Sequence, residues 1–181
     1  MTYTTKLSVR DICHMGIFAA IIAVCAQLSF PMPYGVPMSL QTFAIPLAGI
    51  VLGAKKGVLS SLVYVLLGAI GIPVFAGFTG GLGIVIGPTG GFILSFPFMA
   101  LAAGIGEAKN SKTWLLLWLA LGTVINYLCG MFVFSLVMSS GLKTAFAVCV
   151  LPFILPDIVK IVLVTIWGRA IKQMLIKSKV L

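Results

Sequence analysis

Long apolar stretches separated by short polar or glycine-rich turns fill almost the whole chain. The runs are continuous rather than alternating, which favours membrane-spanning helices over the strands of a barrel. Six spans are predicted, at residues 12–30, 40–53, 57–72, 92–106, 114–137 and 152–172. The sequence therefore predicts an all-α integral membrane protein whose single transmembrane domain covers residues 1–181.

The first apolar stretch follows a basic start, as the core of a secretory signal peptide would. More membrane sequence follows it rather than a secreted domain, so we interpret it as the first span. The helix is then interrupted by residues that break helices, and these predict a loop on the outer face that acts as a lid. They are Pro31, Pro33, Gly35 and Pro37.

Composition supports a membrane protein and limits its partners. Hydrophobic residues make up 61% of the chain and charged residues 8%, whereas soluble domains carry about 25% charged residues. The outer face is therefore expected to contact membrane lipid. The formal charge is +9, but no basic stripe with interleaved aromatic residues is present, so nucleic-acid binding is excluded.

The basic residues predict the orientation of the chain. Lys143 falls on one side of the predicted membrane and Lys160 lies within a span, while the others flank the spans on the opposite side. By the positive-inside rule, both termini are predicted to be cytoplasmic. The residues on this side are Lys6, Arg10, Lys55, Lys56, Lys109, Lys112, Arg169, Lys172, Lys177 and Lys179.

Two features indicate a binding cavity within the membrane. The second and third spans are shorter than the roughly 20 residues that cross a bilayer, so neighbouring helices must shield them. Residues 71–91 are rich in glycine and include two prolines, Pro73 and Pro88. Irregular backbone at membrane depth is tolerated only where protein or a cavity surrounds it.

Asp157 and Lys160 are the most informative polar residues, because they lie three positions apart on one face of the sixth span. Either charge near the bilayer centre costs about 2.5–3.5 kcal/mol. A structural ion pair is one explanation, helped by a helix amino terminus at Pro156. A ligand site is the interpretation that we prefer, since ionisable residues inside the membrane usually face a cavity.

Other chemical classes find little support. His14 and four scattered cysteines provide no metal site, and residues 87–91 lack the lysine of a phosphate-binding loop. An enzyme would need clustered catalytic groups, but the acids Asp11, Glu107 and Asp157 lie far apart in sequence. No catalytic residue is therefore predicted, and a purely structural protein would not need the Asp157–Lys160 pair.

Smaller polar and small-residue features leave two interpretations open. Gln41, Thr42, Asn126 and Tyr127 either form hydrogen bonds between helices or line a cavity. The small residues of the first span either pack inside the protein or contact a partner membrane protein. They are Gly16, Ala19, Ala20 and Ala23.

Several motifs give the chain a specific resemblance. They are Ser39-Leu40-Gln41-Thr42-Phe43, Leu47-Ala48-Gly49 with Leu52-Gly53, residues 71–77, Gly80-Gly81, residues 87–92, and Pro152-Phe153 leading to Asp157 and Lys160. The chain resembles the BioY family, the biotin-specific substrate-capture subunits of energy-coupling factor (ECF) transporters. The resemblance implies a six-helix S-component-like bundle in the cell membrane that binds biotin from outside and closes a loop over it.

The resemblance also implies partners and residue roles. The subunit would dock through Ala19 and Ala23 on a shared transmembrane coupling subunit driven by two ATPase subunits, so ATP is used by the partners and this chain needs no cofactor. Asp157 would accept from a ureido N–H of biotin, and Lys160 would donate to the ureido oxygen or the carboxylate. The remaining expected contacts are the backbone amides of Gly77, Gly80 and Gly81 and the side chains of Gln41, Phe43, Phe75, Phe92 and Tyr127.

Two local departures from the family pattern change the expected contacts. Phe92 occupies a position where tyrosine is common, and Pro156 one where glycine is common. Two alternative functions remain: an S component for another vitamin, and a carrier that moves biotin without partner subunits.

Overall fold

The structure, a computed structural model, is described for residues 7–32 and 35–179. These residues are mostly helical and also form one short β-hairpin. Lys6 of the basic set and Pro33 of the predicted lid lie outside the described residues. The elements are α1 (Val9–Gln27), β1 (Ser29–Phe30), β2 (Met38–Ser39), α2 (Gln41–Leu52), α3 (Ala54–Ala69), α4 (Leu82–Val85), α5 (Gly90–Ala108), α6 (Lys112–Val137), α7 (Leu142–Cys149) and α8 (Leu151–Lys177).

Four helices, α1, α5, α6 and α8, are long and apolar enough to cross a membrane. This finding confirms that the chain is a helical membrane protein. Helix α2 has 12 residues and α3 has 16, and both are shorter than the roughly 20 residues of a complete span. The count of six spans therefore stays a prediction.

The connections contain more structure than the sequence predicts. β1 pairs with β2 in an antiparallel hairpin. From the prolines between these strands, the sequence predicted only a loop. Lys55 and Lys56 do not mark a turn as predicted, because α3 begins at Ala54 and Gly53 alone joins it to α2. Gly53 has a φ of +82°, which lets the chain reverse within one residue.

Helix α5 lies at the centre of the bundle and contacts α2, α3 and α6. Residues 44–52 of α2 are all buried, so α2 is shielded from lipid by its neighbours. A Cβ at Gly49 would overlap the carbonyl oxygen of Ala100, and a Cβ at Gly104 would overlap the backbone of Ala54. Glycine at these two crossings lets the backbones of α2 and α3 approach α5 closely.

Glu107 lies in the last turn of α5 rather than in the polar turn that the sequence predicts. Its side chain is buried and accepts hydrogen bonds from Arg169 Nε at 2.7 Å and from Lys172 Nζ at 3.4 Å. A buried carboxylate needs such partners, and both come from α8. This ion cluster joins the ends of α5 and α8.

The other two acids are also paired, and the three pairs lie at separate places. Asp11 completes a capping box with Ser8 at the start of α1 and pairs with Lys56 of α3. Asp157 pairs with Lys160 on α8 at 2.9 Å. Each acidic side chain therefore has a basic partner, and the low-dielectric environment requires one for the buried Glu107 and Asp157.

Replacement of Gly49 by alanine is expected to destabilise the bundle, because the added methyl group meets the backbone of α5. Overpacking of this kind costs about 1–3 kcal/mol. The control is Gly16→Ala in α1, where a Cβ meets no atom within 4 Å. Chemical unfolding in detergent should show a lower free energy of unfolding for Gly49→Ala only, and equal values for both variants would contradict the close crossing.

Candidate functional site

A cavity lies among α2, α5, α6, α8 and the connections on either side of α2 and α3. The volume of this cavity is about 200 Å³. Gly35, Val36 and Pro37 line it, so part of the predicted lid does contact this cavity. Six of the predicted site residues also line it, namely Gln41, Phe75, Phe92, Tyr127, Asp157 and Lys160.

Asp157 and Lys160 form the polar centre of the cavity. Lys160 Nζ donates to Asp157 Oδ1 at 2.9 Å, to Thr42 Oγ1 at 2.9 Å and to the carbonyl oxygen of Ser39 at 2.8 Å. Asp157 Oδ1 also accepts from Thr42 Oγ1 at 2.9 Å, and Asp157 Oδ2 accepts from Tyr127 Oη at 2.6 Å. Four elements therefore converge on this pair.

The two members of the pair differ in the hydrogen-bonding capacity that they retain. All three N–H donors of the Lys160 ammonium group are used within the protein. Among the residues that the structure describes, Asp157 Oδ2 accepts from Tyr127 alone, which leaves a lone pair of this oxygen for a further donor. A solute can thus donate to Asp157 directly, whereas a solute acceptor must replace one of the partners of Lys160.

The charge of Asp157 is not held by a helix terminus, as the structural interpretation of the sequence supposed. Helix α8 begins at Leu151 and Pro156 lies inside it, which places Asp157 in its second turn. The carboxylate is 3% exposed, and its charge is stabilised by Lys160 and by two hydroxyl groups. The environment is therefore tertiary rather than local.

Aromatic rings form much of the apolar wall, but Phe43 is not one of them. Phe75 packs on Gly68 and Phe92 packs on Gly130, since a Cβ at either glycine would overlap the ring. The ring of Phe43 packs instead edge-on against Trp167, with centroids 6.2 Å apart. The rotation of α2 turns Phe43 away from the cavity in this structure, and its contact with the solute stays a prediction.

Gly77, Gly80 and Gly81 are also absent from the cavity lining, and their contact with the solute stays a prediction. Gly77 and Gly81 have φ values of +72° and +100°. Gly80 allows a close approach to the carbonyl oxygen of Ile72, and the amide of Gly81 donates to Gly68. These glycines shape the turn that presents Phe75, and they do not line the cavity themselves.

The sequence left two interpretations open for four polar residues, and in the structure these residues both line the cavity and form hydrogen bonds between helices. They are Gln41, Thr42, Asn126 and Tyr127. Gln41 Nε2 donates to Tyr64 Oη at 2.5 Å, and Asn126 Nδ2 donates to Ser95 Oγ at 2.7 Å. Sequence reasoning named Asn126 without placing it at the site and gave no role to other lining residues, some of which, such as Thr89 and Phe153, lie in the motifs that carry the family resemblance. The further lining residues include Thr79, Ile84, Thr89, Ile93, Phe96 and Phe153.

The small residues of α1 divide between its two faces. Ala19 is 3% exposed and belongs to the hydrophobic core, while Ala23 is half-buried against it. Gly16 and Ala20 lie on the exposed face. The side chain of Ala19 is therefore covered by the bundle in this structure, and its role in docking stays a prediction.

Metal binding finds no support in the described part of the chain. Within residues 7–32 and 35–179, no group of three His, Cys, Asp or Glu side chains could hold a metal ion. The cavity therefore offers an ion pair, hydroxyl groups and aromatic rings, which suit a small organic solute with both polar and apolar parts.

Comparisons with known proteins agree in indicating one family. Residues 2–177 match the model of the BioY family. The chain is 44% identical to the "Probable biotin transporter BioY" of Pyrococcus horikoshii, over 85% of this chain and 91% of that protein. It is 38% identical to the "Biotin transporter BioY" of Thermotoga maritima, over 91% and 97%.

A solved structure agrees with the sequence matches. A crystal structure of the S-component for biotin from an ECF-type ABC transporter superposes with a TM-score of 0.84. That protein is 26% identical, and the match covers 96% of this chain and 95% of the other. With a family match over nearly its whole length and closely similar relatives, the chain belongs to the BioY family, which consists of transporter components rather than enzymes.

Proposed function

We propose that this chain captures biotin from outside the cell and mediates its uptake. The observation that carries the proposal is the buried Asp157–Lys160 pair at the centre of a cavity with aromatic walls. The relatives described as biotin transporters and the similar S-component for biotin support the choice of solute.

The geometry suggests how biotin would be held. A ureido N–H would donate to the remaining lone pair of Asp157 Oδ2. The ureido oxygen or the carboxylate would then take one of the three donors of Lys160, and the carbonyl of Ser39 would lose that contact. Phe75, Phe92 and Tyr127 would contact the sulfur-containing ring, whose apolar surface favours such a wall.

When the ureido oxygen takes the donor of Lys160, the carboxylate tail needs a second polar region. We place it towards Thr89, which lines the cavity immediately before the first residue of α5. The amide groups at a helix amino terminus favour an anion. Thr89 is thus our proposed contact for this end of the solute, in addition to the predicted contacts of Gly77, Gly80 and Gly81.

Substitution of either charged residue is expected to weaken biotin binding. Asp157→Asn loses the charge that accepts from the solute, and Lys160→Ala leaves Asp157 buried without its counter-ion. Kd is expected to rise about 100-fold, since hydrogen bonds to charged groups contribute about 1.5–3 kcal/mol. Equilibrium binding of labelled biotin to the purified protein in detergent measures it.

The matched controls are Asp11→Asn and Lys143→Ala, which change the same residue types away from the cavity. Both should bind biotin as the parent does. A well-folded parent that binds no biotin would contradict the proposed solute, and binding of another vitamin by the same cavity would identify the alternative S component.

We also propose that the chain crosses the membrane six times, with α2 and α3 as short spans and both termini in the cytoplasm. Packing of α2 and α3 on α5 shields their backbones, which allows helices shorter than a usual span. The distribution of basic residues supports this orientation.

Single cysteines at positions 55 and 143 should be labelled from opposite sides of the membrane. In a variant without the four native cysteines, Lys55→Cys should react with a membrane-impermeant thiol reagent only after cell lysis, and Lys143→Cys should react in intact cells. Both positions are exposed in the structure, so equal labelling of the two would contradict the proposed topology.

The proposed energy source is an ECF module formed by a transmembrane coupling subunit and two ATPase subunits. This chain contains no nucleotide-binding motif, so ATP hydrolysis would take place in the partners. The exposed Gly16 and Ala20, with half-buried Ala23 beside them, form the small-residue face that we assign to docking, because such faces allow close helix contact in lipid.

Uptake assays should separate a coupled subunit from a self-sufficient carrier. Cells that produce this chain with an ECF module should accumulate biotin, and cells that produce the chain alone should not. Ala20→Leu should reduce module-dependent uptake without changing biotin binding, whereas Ala120→Leu on the exposed face of α6 should change neither. Full uptake by the chain alone would establish the carrier instead.

A further inference from the structure

Gln27, the last residue of α1, connects this helix to the turn that carries Phe75. Its Nε2 atom donates to the carbonyl oxygens of Val74 at 3.2 Å and Phe75 at 3.1 Å. Its Oε1 atom accepts from the amide of Phe78 at 2.8 Å. A single side chain therefore satisfies three backbone groups of the segment 74–78, which is distant from it in sequence.

The other contacts of this segment come from α3 and from within the turn, so Gln27 is its connection to α1. Phe75 and Thr79 exchange two backbone hydrogen bonds, and the hydroxyl of Tyr64 donates to Val74 at 3.1 Å. Phe78 is largely exposed and has a φ of +56°. The Phe75 ring, by contrast, is 1% exposed, lines the cavity and packs on Gly68 and edge-on against Tyr64. Its backbone carbonyl is held by Gln27, so the ring is positioned both by this packing and by the hydrogen bonds of Gln27.

A continuous path of hydrogen bonds joins Gln27 to the ion pair. The Val74 carbonyl accepts from both Gln27 and Tyr64, and Tyr64 accepts from Gln41. Gln41 accepts from the hydroxyl of Ser39, whose carbonyl accepts from Lys160. The turn that carries Phe75 is thus connected to the polar centre of the cavity as well as to α1.

We propose that Gln27 is a positioning residue that holds the Phe75 wall against the cavity and thereby slows the escape of bound solute. Gln27 does not line the cavity, so it acts through the backbone of residues 74–78 rather than by contact with the solute. The inference rests on the proposed capture of biotin, because the rate of escape is measured with that solute.

The primary test is the dissociation rate of labelled biotin from Gln27→Met, which retains an unbranched side chain but loses the donors and the acceptor. The variant should release biotin about tenfold faster, the effect of losing about 1.4 kcal/mol of hydrogen bonding in the bound state. The matched control is Gln173→Met on the exposed face of α8, which should leave the rate unchanged. An unchanged rate for Gln27→Met would overturn the proposal.

A double-mutant cycle tests whether Gln27 acts through Phe75. In a Phe75→Leu background, Gln27→Met should accelerate release by less than about twofold, because the ring that it positions is already gone. A full tenfold effect in that background would show that Gln27 acts by another route and would overturn the assignment.

Hydrogen exchange of the ligand-free protein in detergent distinguishes failure of this inference from failure of the proposed solute. Gln27→Met should increase exchange of the Phe78 amide, which loses its acceptor, without changing amides in the middle of α5. Equal loss of protection in both places would indicate general destabilisation and overturn the positioning role. If the parent binds no biotin, the proposed solute is wrong, and the exchange of Phe78 still reports on the connection.

Discussion

A charge buried in a lipid-embedded bundle must be compensated within the protein, and the Asp157–Lys160 pair shows how this constraint organises the cavity. Its hydrogen bonds extend to Tyr127 on α6, to Thr42 on α2 and to the Ser39 carbonyl in β2. Because each partner comes from a different element, the position of the pair depends on the packing of the whole bundle. That packing depends in turn on glycines, such as Gly49, that bring α2 close to α5.

The buried charge of Glu107 is also compensated within the protein, but its carboxylate does not face the cavity. Glu107 uses both carboxylate oxygens for Arg169 and Lys172, and it lies at the end of α5, away from the cavity. Asp157 instead faces the cavity and keeps a lone pair on Oδ2. An ion pair becomes a candidate binding site when it lies at a cavity and retains hydrogen-bonding capacity, and not simply when it is buried.

The sequence predicts those features that depend on local spacing. The long apolar helices and the shared face of Asp157 and Lys160 follow from periodicity alone, and the pair does line the cavity. The direction of Phe43 and the burial of Ala19 do not follow, because both depend on how a helix is rotated within the bundle. A uniformly apolar helix gives no sequence signal for that rotation, so aromatic and small residues could be assigned to the wrong face.

Connections posed a second difficulty for sequence reasoning. The glycines in residues 71–81 correctly indicated irregular backbone. In the structure they form a tight turn, and the side chain of Phe75 extends from this turn to line the cavity. Helix α7 and the hairpin of β1 and β2 are short elements whose formation depends on neighbouring segments. Glu107 lies just beyond the predicted span of residues 92–106, and its burial in α5 does not follow from local sequence because its two basic partners lie far along the chain on α8.

The electrostatics of the cavity bear on the kind of group that can occupy its centre. Because the two opposite charges lie only 2.9 Å apart, a cation or an anion placed there would be attracted by one of them and repelled by the other, with little net gain. A neutral group with adjacent N–H donors and a carbonyl acceptor can interact with both charges and neither adds nor removes net charge from the buried site. The ureido group of biotin has this arrangement, so a compensated ion pair is better suited to it than a lone carboxylate or a lone lysine would be.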